Sequence, residues 1–149
     1  MLVRPEIPQN TGSIARLTAA TRILLHLVGP LGFSLEDRYL KRAGLDYWPL
    51  VELRTYERWE KFLESNPTAE LKFFSARATQ PYTTASFKQG DFLVFGSETK
   101  GLGALLLHNR MDTTFTIPIF EHRVRSLNLA NAVSIVVYEA LRQFNAFDA

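Results

Sequence analysis

The stretch that most constrains the fold of this chain runs from Thr116 to Phe144. It opens with an apolar run ending at Phe120, continues through a charged turn, and then stays strongly apolar for several helical turns. Ser126 is placed to cap the helix that follows, because its side-chain oxygen can accept a hydrogen bond from an unpaired amide of the first turn. Since no polar face persists through the first turns, we expect this helix to be buried nearly all round.

Two asparagines interrupt the apolar start of this helix. Asn128 and Asn131 stand where a buried helix normally carries apolar side chains, and buried amides need hydrogen-bond partners. Two interpretations are open. The asparagines cap the helix and bind neighbouring backbone, or they line a site with Ser126 at the junction of loop and helix.

Composition excludes several classes of protein. The chain has 149 residues, which predicts one domain, and 46% of them are hydrophobic, enough for a core. Cysteine is absent, so disulfides and thiolate metal sites are excluded and a reducing compartment is favoured. The sequence shows neither a signal peptide nor an apolar run of the roughly 18 residues that a membrane helix needs. We expect a cytoplasmic protein with no membrane partner.

Short apolar runs alternate with helical segments along the chain. Strands are predicted over residues 2–3, 22–28, 71–75, 91–95 and 114–117, and residues 46–53 are prone to form another. Helices are predicted over residues 11–21 (capped by Asn10 or Thr11), 35–43, 56–64 (capped by Thr55), around 105–107, and from 126 onward. Residues 80–86 are predicted as a loop. The alternation predicts an α/β fold with a mostly parallel sheet covered by helices on both faces.

Several familiar site motifs are excluded. Gly96 and Gly101 have the spacing of a phosphate-binding P-loop, but Leu102 and Gly103 replace the Lys-Ser/Thr pair that such a loop needs. No GxGxxG follows the first strand, and no GxSxG is present. The three histidines are scattered, so no metal site is expected, and His26 is interpreted as a core histidine.

Three segments containing glycine and polar residues remain, at residues 10–16, 96–102 and 126–131. In an open α/β sheet, ligands bind beyond the carboxyl ends of the strands, so the three segments can meet at one site. Gly96 would let a ligand approach the backbone closely. The residues alone predict a small-molecule site, with an anionic co-substrate near Arg16.

These segments, in this order and spacing, resemble the motifs of the SPOUT-class RNA ribose 2′-O-methyltransferases of the TrmH family. Residues 10–16 read NTGSIAR, residues 95–102 read FGSETKGL, and Ile117-Pro118 is followed at residues 125–132 by RSLNLANA. The resemblance covers essentially the whole chain. Gly32-Phe33 and residues 42–47, RAGLDY, point to the single-domain TrmL subgroup, which modifies the wobble nucleotide of tRNA. The resemblance implies one domain over residues 1–149 without an appended RNA-binding domain.

The resemblance also implies a deep trefoil knot in the carboxyl-terminal segment, a homodimer, and S-adenosylmethionine as the cofactor. Carried over by position, the cofactor contacts are Phe74, Gly96, Ile117, Ser126 and Leu127. The implied reaction is methyl transfer to the ribose 2′-oxygen of C34 or U34 of tRNA, with leucine tRNAs as the expected substrates.

Arg16 matches the arginine that is proposed in the family to remove the hydroxyl proton. Because a guanidinium in a protein keeps its proton, we expect Arg16 instead to bind the adjacent phosphate and stabilise the developing oxyanion. The other catalytic residues implied, which would orient Arg16 and shape the pocket, are Asn10, Glu98, Ser126 and Asn128.

A dimer without an added domain must hold tRNA with its own surface. The candidate contacts are Arg38, Lys41, Arg42, Arg123, Arg125 and Arg142. The net charge is only +2, and each of these residues is equally well explained as ordinary solvated charge. The loop before Ser126 is one residue longer than is usual in the subgroup, and His122 within it either touches substrate or simply lies on the loop.

Two classes of function follow from the resemblance. The first is an enzyme that methylates the wobble ribose, or another position of tRNA or ribosomal RNA. The second is a non-catalytic RNA-binding or chaperone dimer that retains the knot. The joint presence of Arg16, Glu98, Ser126 and Asn128 favours the enzyme, because a scaffold does not need all four.

Overall fold

Seven strands form one parallel sheet in residues 1–44 and 46–148, the part of the chain that the computed structural model describes. The strands are β1 (Leu2–Val3), β2 (Leu25–Val28), β3 (Leu53–Tyr56), β4 (Leu71–Phe74), β5 (Gln80–Pro81), β6 (Phe92–Phe95) and β7 (Thr114–Thr116). The helices are α1 (Pro8–Thr21), α2 (Arg38–Gly44), α3 (Trp59–Ser65), α4 (Ala104–Leu107) and α5 (Leu129–Gln143). The strand order is β3-β2-β1-β6-β4-β7-β5, and the neighbouring pairs are parallel.

Both faces of this sheet are covered, because successive side chains of a strand point to opposite faces. Phe74 and Phe95 lie in a core cluster with residues of α1 and α5. Their neighbours Phe73 and Val94 lie in a second cluster, with Phe62 of α3. The central strands β4 and β6 are therefore apolar without alternation, as in other buried parallel sheets. The predicted α/β class is confirmed.

The first helix starts earlier than predicted. Pro8 is its first residue and Ile7 its N-cap, so Asn10 and Thr11 lie inside the first turn and neither caps it. Proline is favoured at this position, because it has no amide hydrogen to leave unpaired. Asn10 and Thr11 are buried instead, which directs them toward the protein interior.

The region between β2 and α3 also differs from the prediction. Residues 46–53 form a 3-10 turn at Trp48–Leu50 and only then enter β3. Thr55, predicted as a helix cap, lies within β3 and pairs in register with Leu27 of β2. Pairing with the sheet takes precedence over the local capping signal, and α3 begins at Trp59.

Two other predicted boundaries shift. The helix predicted over residues 35–43 begins at Arg38, where the carboxylate of Asp37 accepts the amide of Tyr39 (2.7 Å). Residues 80–86, predicted as a loop, contain β5, whose two residues pair with β7. A strand this short carries no periodic signal, so only the neighbouring strand defines it.

The last helix differs in its cap and in its burial. Asn128 caps α5, since its side-chain oxygen accepts the amide of Asn131 (3.2 Å). Ser126 lies two residues too early for this role. Ile135 and Tyr138 are 37% and 48% exposed, so the prediction of a helix buried nearly all round is wrong for the single chain.

The order of the sheet places β7 between β4 and β5, both of which precede it in the chain. Because β7 enters the sheet between strands that lie earlier in the chain, the segment after β7 leads back toward α1. The helix at the end of that segment, α5, packs against α1. The trefoil knot itself stays a prediction of the family resemblance. No helix within the described residues is long and apolar enough to cross a membrane.

Candidate active site

Three neighbouring strands end at the same edge of the sheet. Phe74, the last residue of β4, is in register with Phe95 of β6 and Phe115 of β7. Gly96 and Ile117 follow these strands directly, so three of the five predicted cofactor contacts lie side by side. The ring of Phe74 is buried and stacks on Phe95 at 4.9 Å, so that ring belongs to the core.

A cavity of about 340 Å³ opens beyond this edge. Its lining includes Ala76 and Ala78 after β4, Ile117 and Pro118 after β7, and Arg125 on the approach to α5. Ser126 and Leu127, also predicted as cofactor contacts, come next in the chain. The volume falls in the range of about 300–1,000 Å³ that is usual for small-molecule sites.

The close approach at Gly96 is to the protein's own backbone. A Cβ atom at this position would collide with the carbonyl carbon of Gly101 and the amide nitrogen of Leu102. The loop closes on itself here, since Ser97 and Gly101 exchange two backbone hydrogen bonds (3.2 and 2.9 Å). The space beside Gly96, expected to admit a ligand, is thus filled by the returning loop.

A chain of polar side chains connects the three predicted motif segments. Asn128 donates from Nδ2 to Oδ1 of Asn10 (3.0 Å), and Asn10 donates from Nδ2 to Oε1 of Glu98 (3.4 Å). These partners are 118 and 88 positions apart in the chain. The interpretation of Asn128 as a cap of α5 is confirmed, and its amide also contacts Asn10. Its place in a ligand site stays a prediction.

Glu98 holds the amino end of α1. Its carboxylate accepts the backbone amides of Glu6 (2.7 Å) and Ile7 (3.0 Å), immediately before the helix. A negative charge is favourable there because the helix dipole is positive at its amino end. Thr99 returns the contact by donating to the carboxylate of Glu6 (2.7 Å), and this hydrogen bond lowers the pKa of Glu6. The loop and the start of α1 are therefore locked together from both sides.

Arg16 projects from α1 onto Tyr47. The centre of its guanidinium lies 4.7 Å from the centroid of the Tyr47 ring, and its Nη2 lies 3.4 Å from the Tyr47 hydroxyl. The Arg16 side chain is otherwise exposed. In the described part of the chain, Arg16 contacts Tyr47 and makes no direct contact with Asn128, Asn10 or Glu98. Arg16 and these three residues are connected only because Arg16 and Asn10 lie on the same helix, α1.

Sequence reasoning missed three residues that shape this site. Glu6 and Thr99 complete the lock on α1, and Tyr47 supports Arg16. Tyr47 belongs to the segment 42–47 that carries part of the family resemblance, of which Leu45 lies outside the described residues. No local pattern indicates these contacts, because their partners are 31 to 93 positions away.

The predicted RNA contacts near the cavity and on α5 are not equivalent. Arg123 binds the carboxylate of Glu121 with two nitrogens (2.9 and 3.0 Å). Arg142 binds Glu139 in the same way (2.8 and 2.9 Å), which lowers the pKa of Glu139 to about 2. Arg125 lines the cavity. Arg123 and Arg142 are thus compensated by their carboxylates, and Arg125 is the better placed for a phosphate.

The remaining predicted RNA contacts lie on α2. Arg38 stacks over the ring of the adjacent Tyr39, 4.9 Å from its centroid, and Arg42 is exposed. The side chain of Lys41 lies outside the described part of the chain. Among the described residues, no group of three or more His, Asp or Glu side chains is placed to hold a metal ion.

A parallel sheet with a small-molecule cavity beyond its carboxyl edge, and an arginine-bearing helix clamped beside it, is the arrangement of a SPOUT-class methyltransferase. The profile of the SpoU rRNA methylase family matches residues 1–138. The chain therefore belongs to the SpoU methylase family. The predicted family and enzyme class are confirmed.

Relatives of known name match along nearly the full chain. The tRNA (cytidine(34)-2′-O)-methyltransferase of Escherichia coli K12 is 42% identical over 144 residues, which cover 96% of this chain and 91% of that protein. The protein of the same name from Saccharophagus degradans is 43% identical over 144 residues, covering 96% and 93%.

Solved structures agree in fold. A structure that describes 2-OH methylation of C/U34 on tRNA superposes with a TM-score of 0.91 at 48% identity, covering 97% of this chain and 94% of that one. An AdoMet-bound rRNA methyltransferase from Sinorhizobium meliloti superposes with a TM-score of 0.83 at 25% identity, covering 95% and 54%. S-adenosylmethionine is the cofactor of this family, as the resemblance implies.

Proposed function

We propose that this chain transfers a methyl group from S-adenosylmethionine to the ribose 2′-oxygen of the wobble nucleotide of tRNA, C34 or U34. The observation that carries the proposal is the polar chain Asn128–Asn10–Glu98, which ties the three motif segments to one edge of the sheet. Relatives named for this reaction at 42% and 43% identity support the choice of substrate. Leucine tRNAs are the expected isoacceptors.

The residues at the cavity fit the cofactor. The cavity is of suitable volume, and it is lined by the turn after β4 and by the segment after β7. Ile117, which lines the cavity, would hold S-adenosylmethionine there together with Ser126 and Leu127, which directly follow the lining residue Arg125 in the chain. Of the other two predicted contacts, Phe74 ends β4 and Gly96 follows β6 beside it. When bound, S-adenosylmethionine supplies an electrophilic methyl group attached to a positively charged sulfur. Once the methyl group is transferred, the sulfur is left as a neutral thioether.

Positioning is the main task left to the protein, because the leaving group is good. The ribose 2′-oxygen would accept this methyl group in exchange for its hydroxyl proton, which would be released to water. Arg16 binds the neighbouring phosphate and stabilises the charge that develops on the oxygen. Glu98 clamps the start of α1, and Arg16 lies six positions beyond Asn10, or about 9 Å along the helix. Asn10 and Asn128 hold the same end of α1 against α5.

The exposed apolar side chains of α5 support a homodimer. Ile135 and Tyr138 are large, apolar and exposed in the single chain, and Tyr138 stacks on Phe147 (6.1 Å between ring centroids). Contiguous exposed apolar surface marks interaction sites, and we propose that a second copy of this chain covers it. Because its proposed substrate is tRNA, we expect the dimer to work in the cytoplasm.

The test is one incubation followed by mapping. Purified protein, S-adenosylmethionine and total tRNA from a strain lacking the endogenous activity are mixed, and 2′-O-methyl groups are located by nucleoside and fragment mass spectrometry. Methyl groups confined to nucleotide 34 of leucine tRNAs are expected. Methyl groups found elsewhere in tRNA, or in ribosomal RNA, would support the proposed reaction but show that nucleotide 34 is not its target. Cofactor binding without any methyl transfer would favour the non-catalytic RNA-binding dimer.

A further inference from the structure

Arg16 is the exposed residue on which the proposed reaction depends most, and its side chain is long and flexible. In the described part of the chain its partner is Tyr47, through the ring face (4.7 Å) and the hydroxyl (3.4 Å). A guanidinium over an aromatic face is attracted by the ring quadrupole. One of its five N–H donors meets the Tyr47 hydroxyl, which leaves the others for a phosphate and an oxyanion.

Tyr47 itself stands on a rigid support. Its carbonyl accepts the amide of Leu50 (2.8 Å), which closes the 3-10 turn Trp48–Leu50. Trp48, the first residue of that turn, and Val51, which follows it, pack against the core cluster shared with α1 and α5. The backbone that carries Tyr47 is thus held near α1 by packing that does not involve Arg16, while the Tyr47 side chain itself is 37% exposed.

We infer that Tyr47 is a positioning residue that holds the guanidinium of Arg16 in place for the methyl transfer. The inference rests on the proposed function, because it assigns Tyr47 a role through Arg16. The ring restricts the guanidinium to one plane, and the hydroxyl restricts its rotation in that plane. The Arg16 side chain then loses less rotational freedom when it engages the phosphate and the ribose oxygen, so the contact should raise the rate of methyl transfer.

The test is a double-mutant cycle on Arg16 and Tyr47, measured as single-turnover methylation at saturating tRNA and cofactor. We expect Tyr47→Leu to slow the transfer about three- to thirtyfold, the range of an exposed to partly desolvated cation–π contact. Tyr47→Phe keeps the ring and should lose no more than about threefold. Because Tyr47 acts through Arg16, Arg16→Ala/Tyr47→Leu should be no slower than Arg16→Ala. Leu50→Ala, in the same turn and 67% exposed, is the control for local disturbance.

A second measurement reads the contact without activity. The side-chain NMR signals of Arg16, assigned by their loss in Arg16→Ala, should be shifted upfield by the Tyr47 ring. The shift should persist in Tyr47→Phe and Leu50→Ala and vanish in Tyr47→Leu, with unchanged affinity for S-adenosylmethionine.

Two results would overturn the inference: no ring-induced shift in the wild-type protein, or a further loss of rate when Tyr47→Leu is added to Arg16→Ala. The latter would mean that Tyr47 serves the RNA or the fold directly. Failure of the proposed reaction would look different, since the wild-type protein would then methylate no RNA. The NMR shift would still decide whether Tyr47 holds Arg16.

Discussion

At the scale of single residues, the candidate site contains an exposed arginine, Arg16, and buried or bound polar groups that hold its helix in place. Arg16 is exposed and has its donors available, whereas Glu98 uses its carboxylate on the backbone of Glu6 and Ile7. Asn10 is buried between Glu98 and Asn128. We therefore assign binding of the reacting groups to Arg16, and positioning to the polar chain.

Replacing Arg16 with alanine should slow turnover strongly while leaving the cofactor site intact. The variant loses the phosphate contact and the donor to the developing oxyanion, each of which is worth tenfold or more. We expect methylation to fall at least about 100-fold and the Kd for S-adenosylmethionine, measured by calorimetry, to stay within twofold. Arg58→Ala, an exposed arginine in surface ion pairs at the start of α3, is the matched control. Full activity of Arg16→Ala would remove this residue from the mechanism.

His26 is a core residue, as the sequence indicates. Its side chain stacks on Tyr56, with Nδ1 3.1 Å from the Tyr56 hydroxyl, and packs edge-on against Phe92. Burial is the main cause that lowers its pKa, from 6.5 to about 4, and the positive charges of the amino terminus and Arg54 act in the same direction.

This pKa predicts a loss of stability in mild acid. Between pH 6.5 and about 4 the unfolded chain binds a proton at His26 that the folded chain does not, so the stabilisation is complete above pH 6.5 and declines as the pH falls. The loss approaches about 3 kcal/mol, at 1.36 kcal/mol per pKa unit. Urea unfolding at several pH values should show a shallower pH dependence for His26→Phe, whereas His122→Gln, at an exposed histidine, should follow the wild-type protein. Identical slopes in all three would refute the assignment.

At the scale of elements, the loop after β6 is the connection on which the site depends. Gly96 lets the loop turn back against Gly101, and the two residues after Ser97 reach the start of α1. The loop therefore fixes the start of α1 relative to the end of β6. Gly96 and Gly101 serve different needs in this loop, since Gly96 has no room for a side chain whereas Gly101 has room but a φ of +63°.

This difference predicts unequal effects of alanine. Gly96→Ala forces backbone apart and should destabilise the protein by about 3 kcal/mol, with loss of the lock on α1. Gly101→Ala meets no atom within 4 Å and should cost only the roughly 1–2 kcal/mol of a left-handed non-glycine residue. Denaturant unfolding measures both, and methylation assays below the midpoint measure activity. Equal effects of the two substitutions would show that crowding at Gly96 is not the constraint.

At the scale of the whole molecule, α5 packs one face on the core and leaves the other exposed. Val136 and Ala140 are buried in the single chain, whereas Ile135 and Tyr138 are not. The prediction of all-round burial fails for one chain, because the apolar character of this helix exceeds what one chain can cover. A second copy is the proposed cover.

A charge placed on this face should separate the copies. Ile135→Glu puts a carboxylate into the proposed interface, where desolvation opposes it. Sedimentation velocity should then give one chain of 17.0 kDa instead of twice that mass. Leu105→Glu, on α4 at the other face of the sheet and 95% exposed, should leave the dimer intact. A monomeric wild-type protein would contradict the proposal at once.

The net charge of the whole chain bears on how the protein could bind tRNA. The net charge of +2 is small, so we expect the proposed binding of tRNA to depend on local arginines. Arg125→Ala should weaken tRNA binding and reduce the slope of log Kd against log salt concentration by about 1. Arg142→Ala, compensated by Glu139, should change that slope little. Filter binding at several salt concentrations measures both, and equal slopes for the two variants would exclude this ranking.

The sequence by itself determined the alternation of strands and helices, the parallel sheet and the three motif segments. These depend on apolar runs and on short patterns that are complete within about ten residues, such as residues 10–16 and 95–102. It also indicated Arg16, Asn10, Glu98 and Asn128 as candidates, because their segments resemble a family. Local signals failed where neighbours in space overrode them, as at Thr55, which pairs with β2 instead of capping a helix.

Only the tertiary structure decided which side chains meet. The hydrogen bond from Asn128 to Asn10, the clamp of Glu98 on the start of α1, and the contact of Arg16 with Tyr47 all join residues far apart in the chain. The order of the strands also places β6, β4 and β7 next to one another, so that their carboxyl ends lie together. The physical reason is that packing of the sheet against α1 and α5 sets these distances, and such packing sums many weak contacts that no single segment encodes.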